Sequence, residues 1–284
     1  LAPQKTIQRF EDAGFLVFED VNRAVRAIAA LARFSEHFAR GVVVRESDFQ
    51  VDEALLNADQ ISDLDELGAK KLLASVGVPM LTEHFAADDA EVELAAQRVN
   101  GLTVLKILSP DIAHKTEVGG VVVGLTSPEA AAQAARAMLA RVREQLPNAK
   151  VRGFLVAPQL RGGIEAVCGV FRDPVFGPVV MFGMGGVYVE VMRDVVFRLA
   201  PFSENEAFSM VRELRGVALF DGVRGARASD VGALAQTLSR LSNFAWAQRD
   251  TIHEIDINPL MVMPQGEGVF ALDALIFASR DTQP

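Results

Sequence analysis

Val104-Leu105-Lys106-Ile107-Leu108-Ser109-Pro110-Asp111-Ile112-Ala113-His114-Lys115-Thr116-Glu117-Val118-Gly119-Gly120-Val121 is the stretch on which the fold turns. Its first part continues a β-branched and leucine-rich run that reads as a strand over 102–108. Val104, Lys106 and Leu108 then share one face, which sets an ammonium group in an apolar row. Two roles fit such a lysine: its stem snorkels and carries the charge to solvent, or its charge is held in place for a phosphate. Residues 111–118 read as a loop, and Gly119-Gly120 lead into a strand over 121–125. Paired glycines behind a Lys/Thr loop let backbone N–H groups approach an anion with no Cβ in the way. His114 is either a surface-loop histidine or a phosphoryl acceptor, since a neutral imidazole nitrogen is a competent nucleophile toward phosphorus.

Upstream, Ser62 and Asp65 resemble a capping box for a helix that stops at Gly77-Val78-Pro79. A helix over 88–99 precedes the lysine-bearing strand. Downstream, Ser127-Pro128-Glu129 opens an alanine-rich helix that Pro147 ends. From Arg152 the pattern turns to strands, over 154–158, 164–171, 178–181 and 188–192. Ser203 with Glu206, and then Ser229, mark two helix starts. At the other end, 15–18 reads as a short buried strand followed by a helix from Asp20 to about Arg40. One strand and one helix cannot enclose a core, so this segment looks like the last β-α unit of a domain. The class is α+β, with mixed or mainly antiparallel sheets in the second half.

The last 30 residues read as a hairpin around Gln265-Gly266-Glu267-Gly268. With Pro264 facing Val269, Leu260 faces Asp273 and Asn258 lies diagonal to it, about 7–8 Å away on the same face. An amide oxygen and a carboxylate at that separation suit Mg²⁺, a hard cation that keeps waters and takes further ligands from phosphates. The same two residues also serve as a turn former before Pro259 and a strand-end cap. Glu165 and Glu190 stand in apolar strands, where they need partners or solvent, and Cys168 reads as core.

Composition narrows the function classes. The 284 residues are 50% apolar and carry 28 basic against 37 acidic side chains, a net charge of −9. Disorder is excluded, and an acidic chain lacks the basic face of a general nucleic-acid binder. The longest uncharged run, 174–189, holds two prolines and four glycines and does not suit a membrane helix. One cysteine excludes an internal disulfide and points to a reducing, cytoplasmic setting. The chain opens on Leu1 with no signal-peptide pattern, as expected of a piece of a cytosolic protein.

Five stretches, taken in order, resemble the ATP-grasp half of the nucleoside-diphosphate-forming acyl-CoA synthetases, relatives of the succinyl-CoA synthetase β chain. They are 104–121; 165–178 with Arg172-Asp173-Pro174; 182–190 with Gly183-Met184-Gly185-Gly186; Gly222-Val223-Arg224-Gly225; and 255–260 with Leu272-Asp273-Ala274. The resemblance implies an ATP-grasp fold of two lobes. It divides the chain into a CoA-ligase-type tail (1–40), a linker (41–60), a smaller lobe (61–153) and a larger lobe (154–284). It implies an acid–thiol ligase in which a small carboxylic acid, CoA and ATP give acyl-CoA, ADP and phosphate through phosphohistidine transfer.

ATP and Mg²⁺ are the implied cofactors. Lys106 would contact the phosphates beside Lys115, Gly119, Gly120 and Arg224, with Gly185 and Gly186 near the transferred group. Val156, Ala157 and Pro158 would read adenine at the hinge, Asn258 and Asp273 would hold the metal, and His114 would carry a transient phosphoryl group. The implied partner is a CoA-binding half, in the same chain or another subunit, within an oligomer; neither nucleic acid nor membrane is expected. Thr116-Glu117 stands where the family pattern has Ser-Asp, and no proline precedes Lys106 in its strand. The competing reading is the synthetase-like regulatory module of a bacterial protein lysine acetyltransferase.

Overall fold

The computed structural model describes residues 4–18, 20–39, 58–62, 64–112, 115–186, 194–223 and 225–278. The chain divides into two units, Leu1–Glu46 and Ser47–Pro284. In the first, α1 (Gln4–Asp12) and α2 (Val21–Ala39) flank an extended segment. Asp20 caps α2 by accepting from the Arg23 N–H at 2.9 Å. The strand expected over 15–18 is extended but joins no sheet among the described residues, and Phe15 and Leu16 are exposed. A strand needs a neighbour for its N–H and C=O groups, and no described segment supplies one.

The second unit holds two sheets with separate cores. The smaller lobe's sheet runs β1-β4-β2-β3, from β1 (His84–Ala86), β2 (Thr103–Leu108), β3 (Val121–Leu125) and β4 (Gly153–Pro158), all antiparallel. Two helices cover one face: α5 (Asp89–Ala96), capped by Asp88, and α6 (Pro128–Gln145), capped by Ser127 with proline at its first turn. Ala131, Ala135, Met138 and Val142 recur at helical spacing along α6 and are fully buried against Leu105, Ile107 and Phe154.

The larger lobe's sheet runs β10-β8-β5-β6-β7, with β9 also paired to β8. Its strands are β5 (Ile164–Asp173), β6 (Gly177–Met184), β7 (Val195–Leu199), β8 (Ile252–Val262), β9 (Val269–Ala271) and β10 (Ala274–Ala278). Strand β7 is additional to the sequence reading; the strand expected over 188–192 lies outside the described residues. On one face pack α7 (Glu204–Arg212), capped by Ser203, and α8 (Val231–Ala247). The α8 cap is Asp230 rather than Ser229: Asp230 accepts from Ala233 N–H at 3.1 Å, and its other oxygen takes the N–H groups of Gly266 and Gly268. Cys168 is buried in this core, where burial and the nearby Asp256 push its thiol upward. Glu165 is exposed and meets its need for solvent directly.

Two boundaries differ from the sequence reading. Strand β4 belongs to the smaller sheet, so that lobe ends after Pro158 and not at 153. Residues 61–78 belong with the larger lobe, because Ile61, Leu72, Leu73, Val76 and Val78 are buried in its core. Ile61 sits on α3 (Ala58–Ser62) and Leu72 and Leu73 on α4 (Glu66–Ser75), with Val76 and Val78 just past its end. Helix α4 starts from Asp65, whose side chain accepts from Gly68 N–H at 2.9 Å, and not from Ser62. No described helix is long and apolar enough to cross a membrane.

Candidate functional site: a buried lysine–carboxylate cluster

Lys106 points away from the core face of β2 that carries Leu105 and Ile107, and there Glu66, Glu83 and Leu272 cover it. Lys106 is 8% exposed; it does not snorkel. Its ammonium donates to Glu83 Oε1 at 3.1 Å and to the Leu272 carbonyl. That carbonyl is free for a reason legible in the sequence. Leu272 N–H donates to Pro259 O at 3.0 Å, but Pro259 has no N–H to return the bond. The ladder breaks there, and the lysine takes the unpaired oxygen.

The same break shapes the hairpin. Leu260 pairs with Ala271, Val262 with Val269 and Ile257 with Ala274, a register shifted by two residues from the sequence reading. The turn is Pro264–Glu267, closed by Glu267 N–H to Pro264 O at 2.9 Å and Met263 N–H to Gly268 O at 3.0 Å. Asp230 accounts for the difference, because its carboxylate gathers the turn's N–H groups. Asn258 therefore stands directly opposite Asp273, joined by Asn258 N–H to Asp273 O at 3.2 Å, and not diagonal to it.

The loop after β2 delivers Lys115 to the same place. Lys115 is 6% exposed and reaches Asp273 Oδ2 at 3.3 Å and Glu66 Oε2. The glycine pair makes this approach feasible: a Cβ on Gly120 would lie 2.9 Å from the Lys115 carbonyl. The N–H groups of Gly119 and Gly120 are both spent inside the loop, on Thr116 O at 3.1 Å and Lys115 O at 2.7 Å. The pair thus shapes the turn and does not offer the anion-binding amides that the sequence suggested. His114 and Arg224 lie outside the described residues.

Three further members carry no motif. Glu66 opens α4, Lys70 follows one turn later, and Glu83 precedes β1. Lys70 pairs with Glu66 Oε1 and with Glu83 Oε2 at 2.7 Å. The only sequence signal for them is a Glu–Lys pair at i, i+4 on the core face of α4, beside Ala69 and Leu73. Glu83 leaves no local trace.

Three ammonium groups and three carboxylates thus meet in one buried cluster. Burial works against the charge on Glu66, but Lys70, Lys115 and Lys106 overcome it and hold this carboxyl at about 2. Burial likewise opposes the charge on Lys70, and Glu83, Glu66 and Asp273 raise it above the ordinary lysine value. Asp273 goes the other way. Burial, with the Glu66 charge added, raises its carboxyl despite the lysines. Its Oδ1 is buried with no hydrogen-bond partner among the described residues.

An orphaned carboxylate oxygen opposite an amide side chain is a fit place for a hard cation. Among the described residues, no three His, Cys, Asp or Glu side chains converge as metal ligands. Mg²⁺ is such a cation, taking few protein ligands and keeping the rest for water and phosphate.

The other candidates divide. Val156 is locked between β1 and β2, while β1 ends before Ala157 and Pro158 and leaves that edge of β4 unpaired by it. Gly185 serves close packing: its N–H donates to Glu165 O at 2.7 Å, and an added Cβ would meet that backbone at 2.7 Å. Gly186 has φ +61° and lies beside the Glu165 carboxylate.

Comparison with known proteins gives the chain its family. The ATP-grasp domain profile matches residues 55–277. The chain is 35% identical over 260 residues to the ADP-forming 4-hydroxybutyrate–CoA ligase of Nitrosopumilus maritimus, covering 89% of this chain and 37% of that protein. It is 34% identical over 211 residues to the β subunit of ADP-forming acetate–CoA ligase II of Pyrococcus furiosus, covering 74% of this chain and 89% of that subunit. Among solved structures, an acetyl-coenzyme A synthetase 1 of Ca. Korarchaeum cryptofilum, in complex with coenzyme A and Ca-AMPCP, superposes with TM-score 0.72. It is 38% identical, over 76% of this chain and 93% of that one. The chain thus spans little more than a third of a one-chain relative and most of a β subunit. It belongs to the ATP-grasp family, with the β regions of the ADP-forming acyl-CoA synthetases.

Proposed function

We propose that this chain is the nucleotide-binding part of an ADP-forming acyl-CoA synthetase, an acid–thiol ligase. The reaction joins a small carboxylic acid and CoA at the expense of ATP, releasing ADP and phosphate. The observation that carries the reading is the convergence of Lys115 on Asp273 Oδ2 and of Lys106 on the adjacent Leu272 carbonyl, with Asp273 Oδ1 left without a partner among the described residues. Two cationic donors and a cation-ready carboxylate within one cluster match the needs of a polyphosphate with its metal.

In this reading Lys106 and Lys115 bind the phosphate oxygens and keep that charge neutralised as it shifts from one phosphate to the next. Asn258 and Asp273 hold Mg²⁺, which when bound screens the phosphates from each other. Ala157 and Pro158, at the open edge of β4, present backbone groups to the base. The buried setting keeps water away from the reacting phosphate. His114 serves as the transient phosphoryl carrier, and Arg224 contacts the nucleotide. The CoA-binding half, in the same chain or a partner subunit, supplies the acyl site within an oligomer, in the reducing cytoplasm that a lone cysteine suits. The ligase names of the relatives favour this over a regulatory module.

Calorimetric titration of the 284-residue chain with a non-hydrolysable ATP analogue tests the reading. Binding is expected to require Mg²⁺ and to weaken at least about tenfold in Lys106→Met, the cost of losing one charge-assisted contact. Metal-independent binding, or none by a folded chain, refutes it.

A further inference from the structure

Each glutamate of the cluster divides its two oxygens in the same way. Glu66 turns Oε1 to Lys70 and Oε2 to Lys115, with Lys106 farther off at 3.9 Å from Oε1; Glu83 turns Oε2 to Lys70 and Oε1 to Lys106 at 3.1 Å. Lys70 sits between them at 5% exposure, with a carboxylate on either side. It is not a ligand donor. It is the counter-ion that lets two glutamates approach each other in a buried space, where unneutralised carboxylates are strongly disfavoured. Each glutamate then has one oxygen left, and spends it on one of the two lysines that face Asp273 and Leu272.

The members come from distant parts of the chain. Glu66 and Lys70 ride on α4, fixed in the larger lobe's core through Ala69, Leu72 and Leu73. Lys106 and Lys115 belong to the smaller lobe's central strand and the loop behind it. A lysine stem has four rotatable bonds, and a contact to a mobile polyphosphate does not fix them beforehand. A carboxylate partner already in place does, so less ordering entropy is lost when the ligand arrives. The charge balance agrees. Lys70, Lys106 and Lys115 against Glu66 and Glu83 leave one positive charge, which Asp273 offsets. Once Asp273 turns to a cation, that positive charge is available to a phosphate.

We propose that Glu66, Lys70 and Glu83 form a positioning brace that presets the Lys115 and Lys106 ammonium groups for a nucleoside polyphosphate. This deepens the nucleotide reading and rests on it. Lys115 is set by Glu66 and Lys106 by Glu83, with Lys70 joining the two halves.

Two measurements on the full chain test the brace. The first needs no nucleotide: an amine-acylating reagent followed by peptide mass spectrometry reads the reactivity of each lysine. Glu66→Gln is expected to raise labelling of Lys115 more than that of Lys106, and Glu83→Gln the reverse. A merely structural role would loosen both lysines alike, and equal changes overturn the assignment. The second is a double-mutant cycle on the affinity for a magnesium-bound, non-hydrolysable ATP analogue. Glu66→Gln should weaken binding about tenfold in the parent and not at all in Lys115→Met, the non-additivity expected of groups that act through one another.

Additive losses, or unchanged affinity in Glu66→Gln, overturn the brace alone. A parent chain that binds no nucleotide overturns the underlying reading, and the brace's role with it. Where Glu66→Gln does not fold, Glu83→Gln with Lys106→Met carries the same prediction.

Discussion

Asp273→Asn separates what the site needs from what the fold needs. In the empty chain Asp273 is a poor contributor to stability. Its Oδ1 is buried without a partner among the described residues, and its carboxyl is raised by burial and by Glu66. Leaving a buried acceptor unsatisfied costs about 1–3 kcal/mol, and more when the group is charged. Against this stands one ion pair, Oδ2 to Lys115 at 3.3 Å, on a side chain 27% exposed. Such a pair returns about 1 kcal/mol or less.

The amide keeps the shape and removes the charge, so the variant should be as stable as the parent or up to about 2 kcal/mol more stable. Its binding should move the other way. The loss of a charged metal ligand should weaken Mg²⁺-dependent nucleotide binding by at least about tenfold, since even an outer-sphere partner of a ligand is worth that much. Urea denaturation of the empty chain and calorimetry with a non-hydrolysable ATP analogue read the two effects separately. A variant destabilised by more than about 2 kcal/mol would show that Asp273 is there to hold the lysines. Unchanged magnesium dependence would remove it from the metal site.

The neighbouring elements give further tests. Glu66 has its carboxyl held at about 2 against an ordinary 4.5, so its stabilising contribution is complete above 4.5 and is lost as pH falls toward 2. That contribution is on the order of 3 kcal/mol; denaturant midpoints between pH 6 and pH 3 should fall more steeply (bounds chosen about this window) in the parent than in Glu66→Gln. Gly185→Ala would place a methyl 2.7 Å from the Glu165 backbone. It should cost about 1–3 kcal/mol in urea, and an unchanged midpoint would show that the strands separate freely there. Asp230→Ala removes the α8 cap and the acceptor of two turn N–H groups. A loss of about 3 kcal/mol is expected, together with weaker Mg²⁺ dependence, because the turn sets the Asn258–Asp273 register.

Much of this arrangement can be read from local sequence, because local rules decide it. The alanine-rich helix announces itself through Ser127-Pro128 and its 131, 135, 138, 142 stripe, and the structure places both as the sequence suggests. The hairpin's existence is equally local, but its register is not. Alternation along 254–263 and 269–277 tolerates a two-residue slip without moving any side chain to the other face. The choice falls to Asp230, which lies far back in the chain and holds the turn through Gly266 and Gly268. Lys106 could be placed on a face but not given a partner, because Glu83 and Leu272 reach it only through tertiary folding. Strand 15–18 failed for the converse reason: its composition suits a buried strand, and no described segment pairs with it.

The proline in Asn258-Pro259 shows how one residue type links these levels. It sits inside a strand, where a missing N–H is ordinarily a defect. Here the defect falls opposite Leu272, and the carbonyl it leaves unpaired anchors Lys106 beside the next residue, Asp273. The same interruption keeps Asp273 out of regular pairing, so its carboxylate is not committed to a strand neighbour. A valine at 259 could donate its N–H to Leu272 and continue the ladder through β9 into β10. Lys106 would then lose an acceptor, and Asp273 would join a flat strand surface. The break in the sheet is therefore what brings the Lys106 ammonium and the Asp273 carboxylate to one point, and the dipeptide that causes it also carries the amide proposed as a metal ligand.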